Sequence, residues 1–151
     1  MSNASPISPA TPRRSPRAQA TTATADVLLV HGIWNTAHWL LPLARRMRAD
    51  GLAPALFGYA SVLGGPAQAV PRLIERLRAS RAQWVVCHSL GGLMTLQALK
   101  DAPDLPVALA ETRLPGLRDH CVVRASHSGL LRSPEAAAQA LAFLRTGRFQ
   151  S

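Results

Sequence analysis

Ser89 stands where two local patterns meet. Before it, Trp84-Val85-Val86 is β-branched and aromatic, the composition of a short buried strand. After it, Leu90-Gly91-Gly92 leads into Leu93-Met94-Thr95-Leu96-Gln97-Ala98-Leu99, a stretch suited to a helix. A serine at a strand–turn–helix junction flanked by small residues has the pattern of a nucleophile elbow. There a sharp turn pushes one hydroxyl clear of the backbone, next to the N–H groups that open a helix. A hydroxyl is a weak nucleophile unless a base takes its proton. The competing reading makes Ser89 an ordinary helix cap, with Gly91 and Gly92 as spacers.

Two further segments favour chemistry over capping. Upstream, the apolar run Val27-Leu28-Leu29-Val30 ends in His31-Gly32-Ile33-Trp34. Downstream, Cys121-Val122-Val123 runs into Ala125-Ser126-His127-Ser128-Gly129. The serine thus precedes a late histidine, the chain order Ser…acid…His of one type of catalytic triad. His31 and His88 each adjoin a turn whose backbone geometry is the first requirement, which makes them poorer bases than His127. His38 and His120 have no motif around them and read as surface residues.

Taken together, His31-Gly32, Cys87-His88-Ser89-Leu90-Gly91-Gly92 and Ser126-His127-Ser128-Gly129 make residues 26–149 resemble a small bacterial-type α/β-hydrolase of the esterase/lipase kind. Cys87 stands where that family usually has glycine. The resemblance implies a serine hydrolase that cleaves a carboxylic ester through an acyl-enzyme, with a small ester or lipid-like substrate and neither metal nor cofactor. It casts Ser89 as nucleophile, His127 as base, and the backbone N–H groups of Leu90 and Ile33 as the oxyanion hole. For the acid it points to Asp104, 23 residues before His127. Glu111 and Asp119 are fallbacks, and the absence of any functional acid is a further alternative. Related hydrolases carry another strand–helix unit between the elbow helix and the acid, so this chain reads as shortened there. A catalytically poor or inactive relative is the alternative function.

The elements that must position these residues follow from periodicity. Strands are expected at Val27–Val30, Ala53–Tyr59, Trp84–Cys87, Val107–Ala110 and Cys121–Val123. Helices are expected at Ala37–Asp50 with Gly51 beyond its end, at Val70–Ser80 with Pro71 near its first turn, and at Gly91–Lys100. A last helix follows Ser133 and Pro134 and stops at Gly147. Strand–helix alternation predicts an α/β fold: an open, mostly parallel sheet with helices on both faces, incomplete after the elbow helix. Trp34, Trp39, Leu40 and Leu63 are candidates to line an acyl pocket, although Trp39 and Leu40 fall at core spacing.

Composition sets the outer limits. A chain of 151 residues, 48% of them hydrophobic, suits one domain with one core. Residues 26–151 form that domain. Met1 to Ala25, rich in Pro, Ser, Thr and Ala and without an acidic residue, reads as a disordered tail. No apolar run approaches the roughly 18 residues of a transmembrane span. Cys87 and Cys121 read as reduced thiols, which points to a cytoplasmic setting, and no zinc-ligand spacing is present. The formal charge of +9 rests on 16 arginines and a single lysine, Lys100. The arginines are dispersed along helices, so they read as solvated faces rather than a specific nucleic-acid site. Oligomeric state is not legible.

Overall fold

The computed structural model describes residues 26–80, 82–105, 108–109 and 119–150. The expected tail, Met1 to Ala25, and the fallback acid Glu111 lie outside the described residues. Four parallel strands, β1 (Val27–Val30), β2 (Pro54–Phe57), β3 (Trp84–Cys87) and β4 (Ala108–Leu109), form one sheet in the order β2-β1-β3-β4. The helices α1 (Leu41–Ala49), α2 (Gly65–Ser80) and α3 (Leu90–Asp101) connect them, and α4 (Pro134–Thr146) follows. The fold is α/β, with an open parallel sheet.

β1 is the centre of this structure, and its four side chains are all 0% exposed. Successive residues of a strand point to opposite faces. Leu28 and Val30 pack with Leu73 and Leu77 of α2 and with Met94 and Ala98 of α3. Val27 and Leu29 pack with Leu40, with Ala44 and Met47 of α1, and with Leu131, alongside Leu141 and Leu144 of α4. Helices therefore cover both faces. A strand buried on both sides must be apolar throughout, which is why Val27-Leu28-Leu29-Val30 has no polar alternation.

The helix ends follow their sequence signals. Gly51 takes φ +86°, and the Gly51 and Leu52 N–H groups close α1 onto the carbonyls of Arg48 and Met47. The Ser133 hydroxyl accepts the Ala136 N–H at 3.1 Å to open α4, and Gly147 ends it in the left-handed conformation.

Several boundaries differ from the sequence reading. Ala37–Leu40 is a 3₁₀ turn, with α1 starting only at Leu41 beside Pro42. α2 begins at Gly65, so Pro71 lies inside it rather than near its first turn. Pro71 is exposed, while Val70, Leu73 and Leu77 are buried; the apolar stripe holds the helix through the lost backbone bond. Cys121–Val123 forms no strand and belongs to no sheet. Val122 is exposed between half-buried Cys121 and Val123, but among the described residues no strand pairs with it.

Candidate functional site

Helix α3 leaves the sheet at Ser89, whose φ of 55° and ψ of −125° are unfavourable for any residue with a Cβ. Ser89 is exposed, and its hydroxyl makes no capping bond to α3. The plain cap reading therefore fails, because a capping serine would be extended and bonded to the first turn. Only one other non-glycine residue among those described has positive φ: Trp34, at 63°. These two residues follow the C-terminal ends of adjacent strands, β3 and β1.

Close packing holds the turn. A Cβ on Gly91 would lie 2.6 Å from the Val30 carbonyl oxygen and 2.7 Å from that of His31. Only glycine lets α3 come this near to β1. A Cβ on Gly32 would meet the Ser89 Cβ at 2.7 Å and His88 Nδ1 at 3.0 Å. Behind the serine, the Thr95 hydroxyl donates to the Gly91 carbonyl at 2.8 Å, and Cys87 Sγ lies 3.1 Å from the same hydroxyl oxygen. With the Thr95 proton already given to Gly91, the thiol is the donor to Thr95. Burial pushes the Cys87 pKa up to about 11, so the sulfur stays a thiol. Cys87 is thus a small packing and hydrogen-bonding residue behind the turn. Both cysteines are free thiols.

The histidines separate clearly. His31 is fully buried and stacks on Tyr59 with ring centroids 4.2 Å apart. Its Nε2 accepts the Tyr59 N–H at 3.3 Å, leaving Nδ1 to donate to the Gly32 carbonyl at 2.9 Å. It is a structural hydrogen-bonder. His127 is exposed, and its ring lies 4.5 Å from that of buried His88. His88 Nε2 is 2.8 Å from the His127 carbonyl oxygen. Burial, the largest influence, holds the His88 pKa below the ordinary imidazole value. His38 and His120 are exposed, as their lack of motif suggested.

The N–H groups of Ile33 and Leu90 have no acceptor among the described residues. Leu90 opens α3, where N–H groups are unpaired by helix geometry.

Asp104 is not brought to this site. It lies beyond the C-terminal end of α3, and a helix of 12 residues separates its ends by about 18 Å. Its carboxylate pairs with Arg78 of α2 at 3.1 and 3.2 Å, and this guanidinium holds its pKa below the ordinary carboxylate range. The chain leaves α3 at the end of the helix away from Ser89, so this carboxylate is placed beside Arg78 rather than at the elbow. Asp119 is also engaged elsewhere, accepting the N–H groups of Phe149 and His120, each at 2.7 Å. Asp50 pairs with Arg145. No described carboxylate is hydrogen-bonded to His127 or His88.

The expected acyl-pocket residues differ widely in exposure. Trp34 and Leu63 are 76% and 78% exposed, and Trp39 is exposed, while Leu40 is buried. A cavity of about 500 Å³ lies instead between β3 and α4, lined by Leu40, Val86, Cys121, Leu131 and Ala137 among others. Of the arginines, Arg45, Arg48, Arg72, Arg76 and Arg78 are exposed and Arg46 is half-buried, consistent with solvated helix faces. Arg81 lies outside the described residues. Among the described residues no helix is long and apolar enough to cross a membrane.

The fold and site thus define an open parallel α/β domain with a serine at a strained strand–helix turn. No protein-family model matches the chain, and no curated protein does. A solved structure similar to part of it is an extracellular α/β-hydrolase from a Paenibacillus species, described as sharing structural and functional homology with tobacco salicylic acid binding protein 2. The similarity is 20% in sequence identity, with a TM-score of 0.46. It covers 54% of this chain and 36% of that one.

Proposed function

We propose that the chain is a serine hydrolase cleaving a carboxylic ester, with Ser89 as nucleophile and His127 as base. The observation carrying this reading is the exposed Ser89 hydroxyl on a strained turn at the start of α3. Strain of this kind costs about 1–3 kcal/mol and clusters at functional sites, where the surrounding structure holds it in place. Ser89 Oγ attacks the acyl carbonyl, and its proton passes to His127. The Leu90 and Ile33 N–H groups donate to the developing oxyanion, each worth about 3 kcal/mol in comparable sites. The tetrahedral species collapses, the alcohol leaves with the proton from His127, and water attacks the acyl-enzyme by the same route.

A second reading, a catalytically poor relative, is favoured by the position of Asp104 at the far end of α3. A histidine without its carboxylate loses tautomeric control, and in a serine protease that loss lowers the rate about 10⁴-fold. Slow turnover by a Ser89–His127 pair reconciles the two readings.

A fluorophosphonate tests the nucleophile. It is expected to add to Ser89 on the folded chain, seen as an intact-mass increase that Ser89→Ala abolishes. A folded protein without the adduct refutes the hydrolase reading.

A further inference from the structure

We propose that His88 is a positioning residue that clamps the main chain of His127 beside the elbow, doing the orienting work that no described carboxylate performs. The inference rests on the proposed roles of Ser89 and His127.

His88 is 7% exposed, and its Nε2 lies 2.8 Å from the His127 carbonyl oxygen. A carbonyl only accepts, so Nε2 carries the proton and Nδ1 holds the lone pair. Nδ1 is buried without a partner and faces Gly32. A second proton there would meet no acceptor, so one tautomer is selected. Burial acts in the same direction, keeping the ring neutral near pH 7.

His88 can act as an anchor because its own backbone is fixed. Its N–H donates to the Val30 carbonyl at 2.9 Å, and its carbonyl accepts the Gly91 N–H at 3.0 Å. His127, in contrast, lies on a segment held mainly by local bonds. Ala125 donates to Val123, Gly129 to the Ser126 hydroxyl, and Leu130 to the Ser126 carbonyl. The bond from His88 spans 39 residues and ties this segment to the residue covalently joined to Ser89. The tilted ring contact at 4.5 Å adds a second restraint. The separation of candidate base and nucleophile is thus set through one side chain adjacent to the nucleophile.

A core histidine that merely fills space would not depend on an N–H at this point, and two variants separate the cases. His88→Phe keeps a ring and removes the donor, whereas His88→Gln returns an amide N–H near the Nε2 position. The reading is the rate of fluorophosphonate addition to Ser89 in the full chain, with amide hydrogen exchange along 127–131. His88→Phe is expected to slow addition about 10- to 100-fold, as a misplacement near 1 Å does, and to speed exchange in that segment. His88→Gln is expected to recover most of both. Equal rates in His88→Phe and the wild type, or no better recovery with Gln than with Phe, overturns the proposal.

Nitrogen NMR of the unmodified protein provides a readout needing neither turnover nor a variant. A slowly exchanging His88 Nε2 proton and an unprotonated Nδ1 are expected. The opposite tautomer, or a rapidly exchanging Nε2 proton, overturns the clamp even where Ser89 proves unreactive. Failure of labelling with the expected NMR signature overturns the hydrolase reading and leaves the clamp standing.

Discussion

Gly91 and Gly92 are neighbours in the first turn of α3, and replacing each by alanine is expected to have opposite effects. At Gly91 the new methyl would sit 2.6 and 2.7 Å from two backbone oxygens, those of Val30 and His31. An ordinary carbon–oxygen contact is about 3.3 Å or longer, so α3 or β1 must move by about 0.7 Å. β1 cannot retreat easily, being paired on both sides and buried on both faces. The Val30 carbonyl also holds the His88 N–H, and the His31 carbonyl the Tyr59 hydroxyl. Overpacking against such a wall costs about 3 kcal/mol, the upper part of the usual range. At Gly92 an added methyl would meet the Cys87 Cβ at 3.9 Å, an ordinary contact. Alanine there gains about 0.8–1 kcal/mol of helix propensity. The two variants should therefore differ by about 4 kcal/mol, nearly a thousandfold in the folded-to-unfolded ratio. Urea unfolding followed by circular dichroism measures this as midpoints moving in opposite directions at constant slope. A Gly91→Ala midpoint within about 0.5 kcal/mol of the wild type would refute the argument that close approach explains this glycine.

Ser89→Gly should abolish fluorophosphonate addition yet stabilise the chain by about 1 kcal/mol, since glycine relieves a strain of about 1–3 kcal/mol at a smaller entropic cost; a melting temperature below that of Ser89→Ala contradicts this. His127→Ala should lower ester turnover at least a hundredfold, whereas Asp104→Asn should leave it within about twofold because that carboxylate serves Arg78; steady-state kinetics on both variants compares them. His88, with its folded pKa lowered by burial, binds a proton more readily when unfolded, so its contribution is present above the ordinary value of 6.5 and is lost as pH falls below it. Urea midpoints at pH 7.5 and pH 5 should show the loss, reduced in His88→Phe. Asp104 and Asp119 contribute in the same direction but only at lower pH, below the ordinary carboxylate value of 3.8.

What the sequence revealed was what local pattern can encode. β1 and β3 have the expected bounds because an uninterrupted apolar run has few alternatives to a doubly buried strand. The signals Ser133, Pro134 and Gly147 delimit α4 because capping is a nearest-neighbour affair. Cys121–Val123 shows the limit. It has strand composition, but a strand also needs an adjacent edge, and that depends on distant chain. Asp104 lies away from the elbow for a related reason: spacing along the chain to His127 says nothing about which end of α3 it occupies. The His88 to His127 bond and the left-handed Trp34 had no local signature. A tryptophan takes positive φ only under tertiary constraint, and a bond from a ring to a main-chain carbonyl leaves no residue type to recognise.

The register of β1 also bears on how the molecule comes to be. Val27 pairs with Pro54 on one side and with Trp84 on the other. The first pairing closes the shorter loop. The second closes one about twice as long, with an added entropic penalty of about 0.6 kcal/mol for each doubling. A parallel pairing gives no return until its crossover helix has folded back, so β3 is expected to dock after β1, α1 and β2 have met. In that order Ser89 acquires its strained backbone only when β3 and α3 close onto the end of β1. In a refolding time course, reactivity toward a fluorophosphonate should therefore lag behind the recovery of helix, making the nucleophile a late reporter of the native sheet rather than an early one.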